Sequence, residues 1–520
     1  MTTVREAREG DVAEVRDLFV RAYGEEYPFQ DFYDTDWLKR AVFDDETLFL
    51  VAENDGRITA TGSVLLATES MGDLVGEIGR LVAAPSKRAQ GAAALLIRVL
   101  LERIQGRVHF AYGEVRTAHP GSQRLAEESG WTAAGFEPMK YRFSRRESVV
   151  LYASLLNPAR ELRRNNPRLI PEAARLAQTV LARMDLPVDA IIVDEPEGYP
   201  TGRAFALERL SERGVSTLLR IERGRLARRE VFGHFSLAQG FFRIAAERSQ
   251  YLVAREGDAV LGAAGFLHDP VDAKVRLFEL IEFDDAVKGF LLSEVDRIAR
   301  EELHAAYLEA DVSAYSPRIQ RTLERLGFVP VAYCPSMVFQ NVERLDVLRM
   351  AKLTVPYDPG RMRLLEEGER VRAIVEAGLE DRTTGLAIGD SARRSELFEG
   401  LPEGELYHLS RLAVLRSYPA GKTLIREGDP PERLYILVEG RAEVRSQGKL
   451  LAELGPGKLF GEMGLVEKRA CSADVALIAD ARVIEIGIPA LERLMEARPR
   501  LGHVTALNLA KSLSRKLRGG

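Results

Sequence analysis

The order of apolar and polar positions divides the chain into alternating strands and helices, and one succession occurs twice. Leu48 to Leu66 reads LFLVAENDGRITATGSVLL: an apolar strand, a polar turn at Asn54-Asp55-Gly56 and a second strand. Much later, Tyr251 to Leu267 reads YLVAREGDAVLGAAGFL, with its turn at Glu256-Gly257-Asp258. Each hairpin follows a helical pattern and precedes a strand, a helix, a strand and another helix. The later helices correspond as well: Ser122 to Trp131 is SQRLAEESGW, and Ile319 to Phe328 is IQRTLERLGF. A repeat of this length is too long for a solenoid and predicts two copies of one α/β domain, each a mixed sheet with helices packed on its faces.

Between the copies, Arg145 to Pro200 reads as a connector with a helix over Pro171 to Met184. Its arginines (Arg160, Arg163, Arg164, Arg168) are expected on a solvated surface. A second connector, Val342 to Ser395, is rich in charge and helix formers. From Leu397 onward short strands are punctuated by glycine, as at Pro419-Ala420-Gly421, Val438-Glu439-Gly440 and Gly455-Pro456-Gly457, which predicts a β-roll or jelly-roll. The expected division is 1–144, linker 145–213, 214–345, connector 346–395 and β-roll 396–520.

Composition narrows the class. The chain has 520 residues, 46% hydrophobic and 29% charged, with a net charge of −5. That length suits several domains with cores of their own, and the mixture excludes wholesale disorder. A slightly acidic balance gives no global attraction to nucleic acid or an anionic membrane. The two cysteines, Cys334 and Cys471, exclude a disulfide framework and cysteine-only zinc sites, and they suit a reducing compartment. The seven histidines form no H-E-x-x-H, so no metal is expected. The amino-terminal residues lack the apolar core of a signal peptide, and no apolar run reaches membrane-spanning length. A soluble, cytoplasmic protein is expected, without membrane or DNA as partner.

The candidate chemistry lies in Glu77 to Leu101, EIGRLVAAPSKRAQGAAALLIRVLL. A strand enters a proline-marked loop and then an apolar helix, with Arg88-Ala89-Gln90-Gly91-Ala92-Ala93 at the junction. Gly91 lets the backbone approach a ligand, Ala92 and Ala93 keep the surface open, and the N–H groups of the helix start favour phosphate. A glycine-containing helix start with alanine chosen for propensity is the plainer alternative.

On these residues, 1–144 resembles a Gcn5-related N-acetyltransferase (GNAT) domain, whose R/Q-x-x-G-x-G/A loop holds the acetyl-CoA pyrophosphate. The opening Val4-Arg5-Glu6-Ala7-Arg8-Glu9-Gly10-Asp11 is similar to that family's first strand and helix start. The resemblance implies that Arg88, Ala89, Gln90, Gly91, Ala92 and Ala93 cradle pyrophosphate, and that Leu81, Val82 and Ala83 pair with the pantetheine arm. It also implies that Glu77 is the general base toward an amine, a small molecule or a protein lysine. One departure stands out: the tyrosine that many members use as acid toward the leaving thiolate is Ala126 here, ahead of Gly130-Trp131. Tyr112 and Tyr141 are the candidates to replace it, each with a core aromatic as the alternative. His119 is read as structural.

The second copy resembles the same fold without its chemistry. Its helix start is Ala286-Val287-Lys288-Gly289-Phe290-Leu291, where bulky residues would crowd pyrophosphate and Asp284 and Asp285 would repel it. Leu323 stands at the tyrosine position, and Glu279 and Glu282 are expected to be solvated. This copy is expected to pair with the first sheet or to shape its acceptor groove.

The last module resembles a cyclic-nucleotide-binding domain of the catabolite-activator type. It rests on Tyr418-Pro419-Ala420-Gly421, Ile425-Arg426-Glu427-Gly428-Asp429, Tyr435-Ile436-Leu437-Val438-Glu439-Gly440 and Phe460-Gly461-Glu462-Met463. The resemblance implies a cyclic AMP or cyclic GMP site at Gly461, Glu462, Met463, Ser472 and Ala473. The family's phosphate-binding P-R pair reads Ala470-Cys471 here, so loss of nucleotide binding is the competing expectation. Arg469 could fold back toward the phosphate. Cys471 is read as an inert thiol, with a redox role favoured only if Lys468 and Arg469 lower its pKa. With no helix-turn-helix after Pro489, DNA reading is not expected.

The leading expectation is thus an acetyl-CoA-dependent N-acyltransferase with a β-roll as regulator or dimerisation unit. A non-catalytic acyl-CoA or nucleotide sensor or scaffold is the alternative, and a homodimer is left open.

Overall fold

Both predicted hairpins enter one fifteen-stranded mixed sheet in the computed structural model. It describes residues 2–24, 27, 30–45, 47–67, 73–84, 91–210, 229–233, 249–401 and 403–518. The chain divides into two compact units, 1–378 and 379–520.

In the first unit the strands are β1 (Thr3–Glu6), β2 (Thr47–Asn54), β3 (Arg57–Ala67), β4 (Val75–Ala83), β5 (Phe110–Arg116), β6 (Thr132–Arg142) and β7 (Arg146–Leu155). They are followed by β8 (Ala206–Arg209), β9 (Ser249–Glu256), β10 (Ala259–Asp269), β11 (Lys274–Glu282), β12 (Tyr307–Ser313), β13 (Val329–Gln340) and β14 (Glu343–Leu353). Their order across the sheet is β1-β2-β3-β4-β5-β7-β6-β13-β14-β12-β11-β10-β9-β8, which reads the same from either edge when each strand is matched to its counterpart. The two halves meet where β6 lies antiparallel to β13, with Gly135 opposite Ala332. Of the two arrangements expected for the second half, edge pairing with the first sheet is the one adopted.

The helices of this unit are α1 (Val12–Tyr23), α2 (Thr35–Val42), α3 (Ala92–Ile104), α4 (Gly121–Glu128), α5 (Pro171–Arg183), α6 (Ala286–Glu301) and α7 (Pro317–Arg325). Sequence explains several of their limits. Asp34 caps α2 by accepting from the backbone N–H of Asp36 at 2.8 Å and of Trp37 at 3.3 Å. Pro171 and Pro317 open α5 and α7, where a missing N–H costs nothing. On one face of the sheet Val15, Leu18 and Phe19 of α1 pack with Leu38, Phe49, Val51 and Val82.

Two segments read as connectors begin in the sheet. Arg146–Leu155 is β7, paired with both β5 and β6, and Glu343–Leu353 is β14, paired with β12 and β13. Each is buried on both faces, so its side chains show no polar alternation to mark a strand. Arg163 departs from the solvated reading of its basic run. It is buried and its guanidinium donates to Asp346 at 2.6 Å and to Asp189 at 3.1 Å.

A long helix, α8 (Glu366–Arg394), carries the chain into the second unit, followed by α9 (Glu403–Leu412). Two four-stranded sheets then form the expected β-roll. One is built from β15 (Ala413–Tyr418), β17 (Arg433–Glu439), β20 (Leu459–Phe460) and β22 (Ala481–Gly487). The other is built from β16 (Thr423–Ile425), β18 (Ala442–Ser446), β19 (Lys449–Leu454) and β21 (Asp474–Leu477). The short α10 (Glu462–Glu467) sits between β20 and β21, and α11 (Ile488–Ala497) and α12 (Pro499–Arg518) follow the roll. Among the described residues no helix is long and apolar enough to cross a membrane, and no cluster of His, Cys, Asp and Glu could hold a metal.

Candidate functional site

A bulge in β4 shapes a cavity beside it. Thr61 of β3 faces Val82 and Ser63 faces Gly79, so Arg80 and Leu81 together stand opposite Gly62. Arg80 takes a positive φ of 53° to make this possible. A bulge bends its strand and increases the local twist. Here β4 pairs in parallel with β5 only from Val75–Phe110 to Glu77–Tyr112, although β4 runs on to Ala83 and β5 to Arg116. Beyond Glu77 a cavity of about 530 Å³ lies along the two strands, walled by residues 77–83 of β4 and 113–116 of β5. Among the described residues no strand pairs with the β4 edge facing it, a geometry to which an extended ligand can add.

Glu77 stands at the last paired position and lines this cavity. Arg80 Nη2 donates to its Oε1 at 2.7 Å, and Tyr112 Oη donates to its Oε2 at 3.0 Å. Burial works against charge on Arg80, yet Glu77 beside it leaves the guanidinium more basic than usual. Leu81, Val82 and Ala83 also lie on the cavity wall.

Neither candidate for the replacement acid is a free phenol. Burial, reinforced by Glu77, holds the Tyr112 pKa well above its ordinary value, and its hydroxyl donates a hydrogen bond to Glu77. Tyr141 lines the cavity, but its hydroxyl donates to Glu114, and burial followed by Glu114 holds its pKa high too. Ala126 is part of the cavity wall, so the expected tyrosine position does face this space, with a methyl group there. His119 lines the same cavity.

Of the predicted anion loop, Arg88, Ala89 and Gln90 fall outside the described residues. Gly91 closes the start of α3 with φ 82°, and its carbonyl accepts from Leu95 N–H at 3.0 Å. A Cβ there would meet nothing within 4 Å, so it is the left-handed backbone that calls for glycine. Gly91, the N-cap residue of α3, has no side chain with which to cap the helix start. Ala92 is buried and Ala93 half-buried.

Sequence reasoning missed the charged cluster behind the cavity. Lys140 Nζ lies 2.8 Å from Glu114, 2.9 Å from Glu137 and 2.8 Å from Glu309. Arg349, from the second half, reaches Glu114 at 3.2 Å, Glu137 at 2.9 Å and Asp311 at 2.6 Å. All six side chains are nearly or fully buried. The available signal was a lone charge inside an apolar strand, as in Met139-Lys140-Tyr141 and Leu348-Arg349-Met350, since charges are buried only when paired.

In the second half, Phe290 and Leu291 are buried in the core. Asp285 pairs with Lys288 at 3.1 Å and with Arg318 at 2.8 Å. Glu279 and Glu282, expected to be solvated, are engaged instead. Tyr251 Oη donates to Glu279 at 2.9 Å, and Lys288 Nζ lies 2.8 Å from Glu282. These contacts were not legible along the chain because each partner lies on another element.

In the β-roll, Gly461 precedes α10 with φ 84°, Glu462 is buried, and Met463 is exposed. Ser472 is exposed and Ala473 half-buried. Backbone bonds strap this stretch to the loop before β17: Cys471 N–H donates to the Asp429 carbonyl, and Gly428 N–H to the Cys471 carbonyl, each at 2.8 Å. Burial, then Asp429, pushes the Cys471 thiol up, the opposite of an activated thiolate. Lys468 is directed to Glu492 at 3.0 Å, and Arg469 is exposed.

Comparison with known proteins matches two stretches of the chain. The family model described as Acetyltransferase (GNAT) family matches residues 12–131, and the one described as Cyclic nucleotide-binding domain matches residues 415–498. The chain therefore carries a GNAT acetyltransferase domain and a C-terminal cyclic nucleotide-binding domain. Among curated relatives, the cyclic AMP receptor protein of Thermus thermophilus is 33% identical over 129 residues, 24% of this chain and 58% of that protein. Glutaminase 1 of Bradyrhizobium diazoefficiens is 36% identical over 122 residues, 23% of this chain and 20% of that protein. The chain thus spans between a fifth and three fifths of these relatives' lengths. Among solved structures, the Thermus thermophilus catabolite activator protein is 33% identical, with 24% of this chain and 59% of that chain covered and a TM-score of 0.22.

Proposed function

We propose that residues 1–144 transfer an acetyl group from acetyl-CoA to an amine, a small molecule or a protein lysine. The observation that carries this is the cavity where β4 parts from β5, with Glu77 at the parting point and an unpaired strand edge along one wall. Leu81, Val82 and Ala83 would pair with the pantetheine arm, and Arg88 through Ala93, with the α3 start, would hold the pyrophosphate. Glu77 would accept the acceptor ammonium's proton, directly or through water. The amine nitrogen then bonds to the thioester carbonyl carbon as the carbon–sulfur bond breaks. The second proton lost by the nitrogen as the amide forms would reach the leaving thiolate through water, because Ala126 offers none and Tyr112 and Tyr141 are committed to carboxylates.

The mirrored strand order and the matched parting of β11 from β12 support 214–345 as a second, degenerate GNAT copy. Residues 396–520 are assigned as the regulatory domain, taking cyclic AMP or cyclic GMP weakly at Gly461, Glu462, Met463, Ser472 and Ala473. Two free cysteines suit a cytoplasmic setting. Neither a DNA-reading element nor a membrane partner is invoked, and a homodimer through the β-roll is compatible with this reading. Ala126 favours one second reading, a sensor or scaffold that binds acyl-CoA without turning it over.

Calorimetric titration of the full chain with acetyl-CoA, followed by CoA release across a panel of primary amines, separates the two. Binding with release on at least one amine is expected. Binding without release on any amine supports the sensor, and absence of binding overturns both.

A further inference from the structure

The second half parts its central strands as the first half does, but a piece of the same chain lies in the gap. Strands β11 and β12 pair in parallel only from Lys274–Tyr307 to Leu277–Ala310, although β11 continues to Glu282 and β12 to Ser313. Along the unpaired part of β12 runs a two-residue strand, Val231–Phe232, antiparallel to it, with Val231 opposite Val312 and Phe232 opposite Asp311. Ser313 N–H donates to the Glu230 carbonyl at 2.9 Å, continuing the ladder. On its other side the segment rests on β11: a Cβ added to Gly233 would collide with Phe278 and stand 2.6 Å from its carbonyl oxygen. Val231 and Phe232 are both buried.

The start of α6 is filled as well. The buried Glu230 carboxylate accepts from Lys288 Nζ at 2.7 Å and from Tyr199 Oη at 2.9 Å. A Cβ on Gly289 would collide with the Pro200 carbonyl oxygen, so the Tyr199-Pro200 backbone lies directly on that glycine. Gly91, the glycine matched to it by motif, is the N-cap of α3 rather than a residue of the helix, and among the described residues nothing lies within 4 Å of a Cβ there. A backbone strand of this chain therefore stands in the second half where the first half has a cavity along its strands, and a carboxylate of this chain is tied to Lys288 in the first turn of α6.

We propose that the second half is a cofactor-type slot sealed by its own chain: Arg229 to Gly233 occupies the strand gap and Glu230 the anion position, so each chain takes up a single acyl-CoA. The count of one rests on the reading that the first-half cavity takes acetyl-CoA; the seal itself does not.

Hydrogen exchange on the full chain, without and with saturating acetyl-CoA, tests this together with the calorimetric stoichiometry. Without ligand, the Ser313 amide is expected to exchange slowly, at a rate comparable to amides in the paired part of β12. Exchange at the solvent rate overturns the seal. With acetyl-CoA, protection is expected to grow at residues 78–83 and to stay unchanged at 231–232 and 277–282, with a stoichiometry of one. New protection in the second half, or a stoichiometry of two, overturns the proposal. A slow Ser313 with no binding anywhere upholds the seal while removing the acetyl-CoA reading of the first half.

Discussion

Arg349, a residue of the second half, holds Glu114 on the cavity wall of the first, with Nη1 3.2 Å from the carboxylate. The same guanidinium binds Asp311 through Nε at 2.6 Å and Glu137 through Nη1 at 2.9 Å. Deleting one partner of a buried ion pair costs about 3–5 kcal/mol, because the remaining charges lose compensation that water cannot supply. Arg349→Leu is therefore expected to lower stability by about that amount, read as a fall in the urea midpoint. An unchanged midpoint would show that the cluster reorganises around the loss.

The same cluster sets a pH dependence with a definite sign. Burial opposes charge on Glu114, but Lys140 and Arg349 overcome it and hold the carboxyl well below its ordinary 4.5. Burial is likewise overcome at Asp311 by Arg349, holding it below 3.8. A depressed folded-state pKa stabilises fully above the unfolded value and loses that contribution as pH falls toward the folded one. Glu137, raised by burial and then Glu114, takes up a proton on acidification and offsets part of this loss. Burial lowers Lys140 but its three carboxylates raise it above 10.5, so its contribution is complete below that value and lost as pH rises past it. The cluster's contribution to the urea midpoint is expected to be constant between these limits and to fall on either side. The acid-side fall should shrink in Arg349→Leu.

How much of this could be read in advance depended on how far apart the partners lie in sequence. The hairpin at Asn54-Asp55-Gly56 and the run from Glu77 to Ala93 are contiguous, so turn chemistry and spacing exposed them directly. Strand β7 was hidden because Val149 to Ala153 are buried on both faces and show no alternation. Arg163 read as surface because its carboxylate, Asp346, comes from another strand far along the chain. Val231–Phe232 is too short for any periodic signal, and its partner β12 is remote in sequence. Local patterns were legible; pairings made by the folded sheet were not.

Glu77→Gln tests the base without emptying its place. The amide keeps the size of the side chain and can still accept from Tyr112, but it cannot take a proton. A positioned base contributes about 10²–10⁴-fold, so kcat is expected to fall within that range while the Kd for acetyl-CoA stays near the wild-type value. Steady-state kinetics with a reactive amine, beside calorimetry, checks this. A kcat within a factor of about two of wild type would assign Glu77 to holding Arg80 only.

In the β-roll, Cys471 occupies the position expected for the phosphate-binding arginine, and its backbone is fixed by the 2.8 Å bonds to Asp429 and Gly428. Cys471→Arg therefore places a guanidinium on an already ordered strap. A buried charge-to-phosphate contact is worth about 2–5 kcal/mol, which corresponds to roughly 30- to several-thousand-fold in affinity. Titration with cyclic AMP and cyclic GMP should show tightening of that size for at least one of them. An unchanged, weak affinity would mean that the rest of the pocket no longer fits a cyclic nucleotide.

Gly135 stands opposite Ala332 where β6 meets β13 and the two halves of the long sheet join. A Cβ at this position would collide with Ala332 Cβ and the Val331 carbonyl, and would stand 2.5 Å from Ala332 Cα. The obstacles are backbone and a methyl group close to it, so rotamer changes cannot relieve them; the strands themselves must separate. Overpacking a core commonly costs about 1–3 kcal/mol, and Gly135→Val is expected at the upper end of that range because no flexible side chain can yield. The separation would also pull Arg349 away from Glu114 and Glu137, so stability and transfer activity should fall together. Denaturation of Gly135→Val beside Gly79→Ala, where an added Cβ meets nothing within 4 Å, separates the junction from a general effect of losing glycine. Equal losses in both variants would remove the junction from this account.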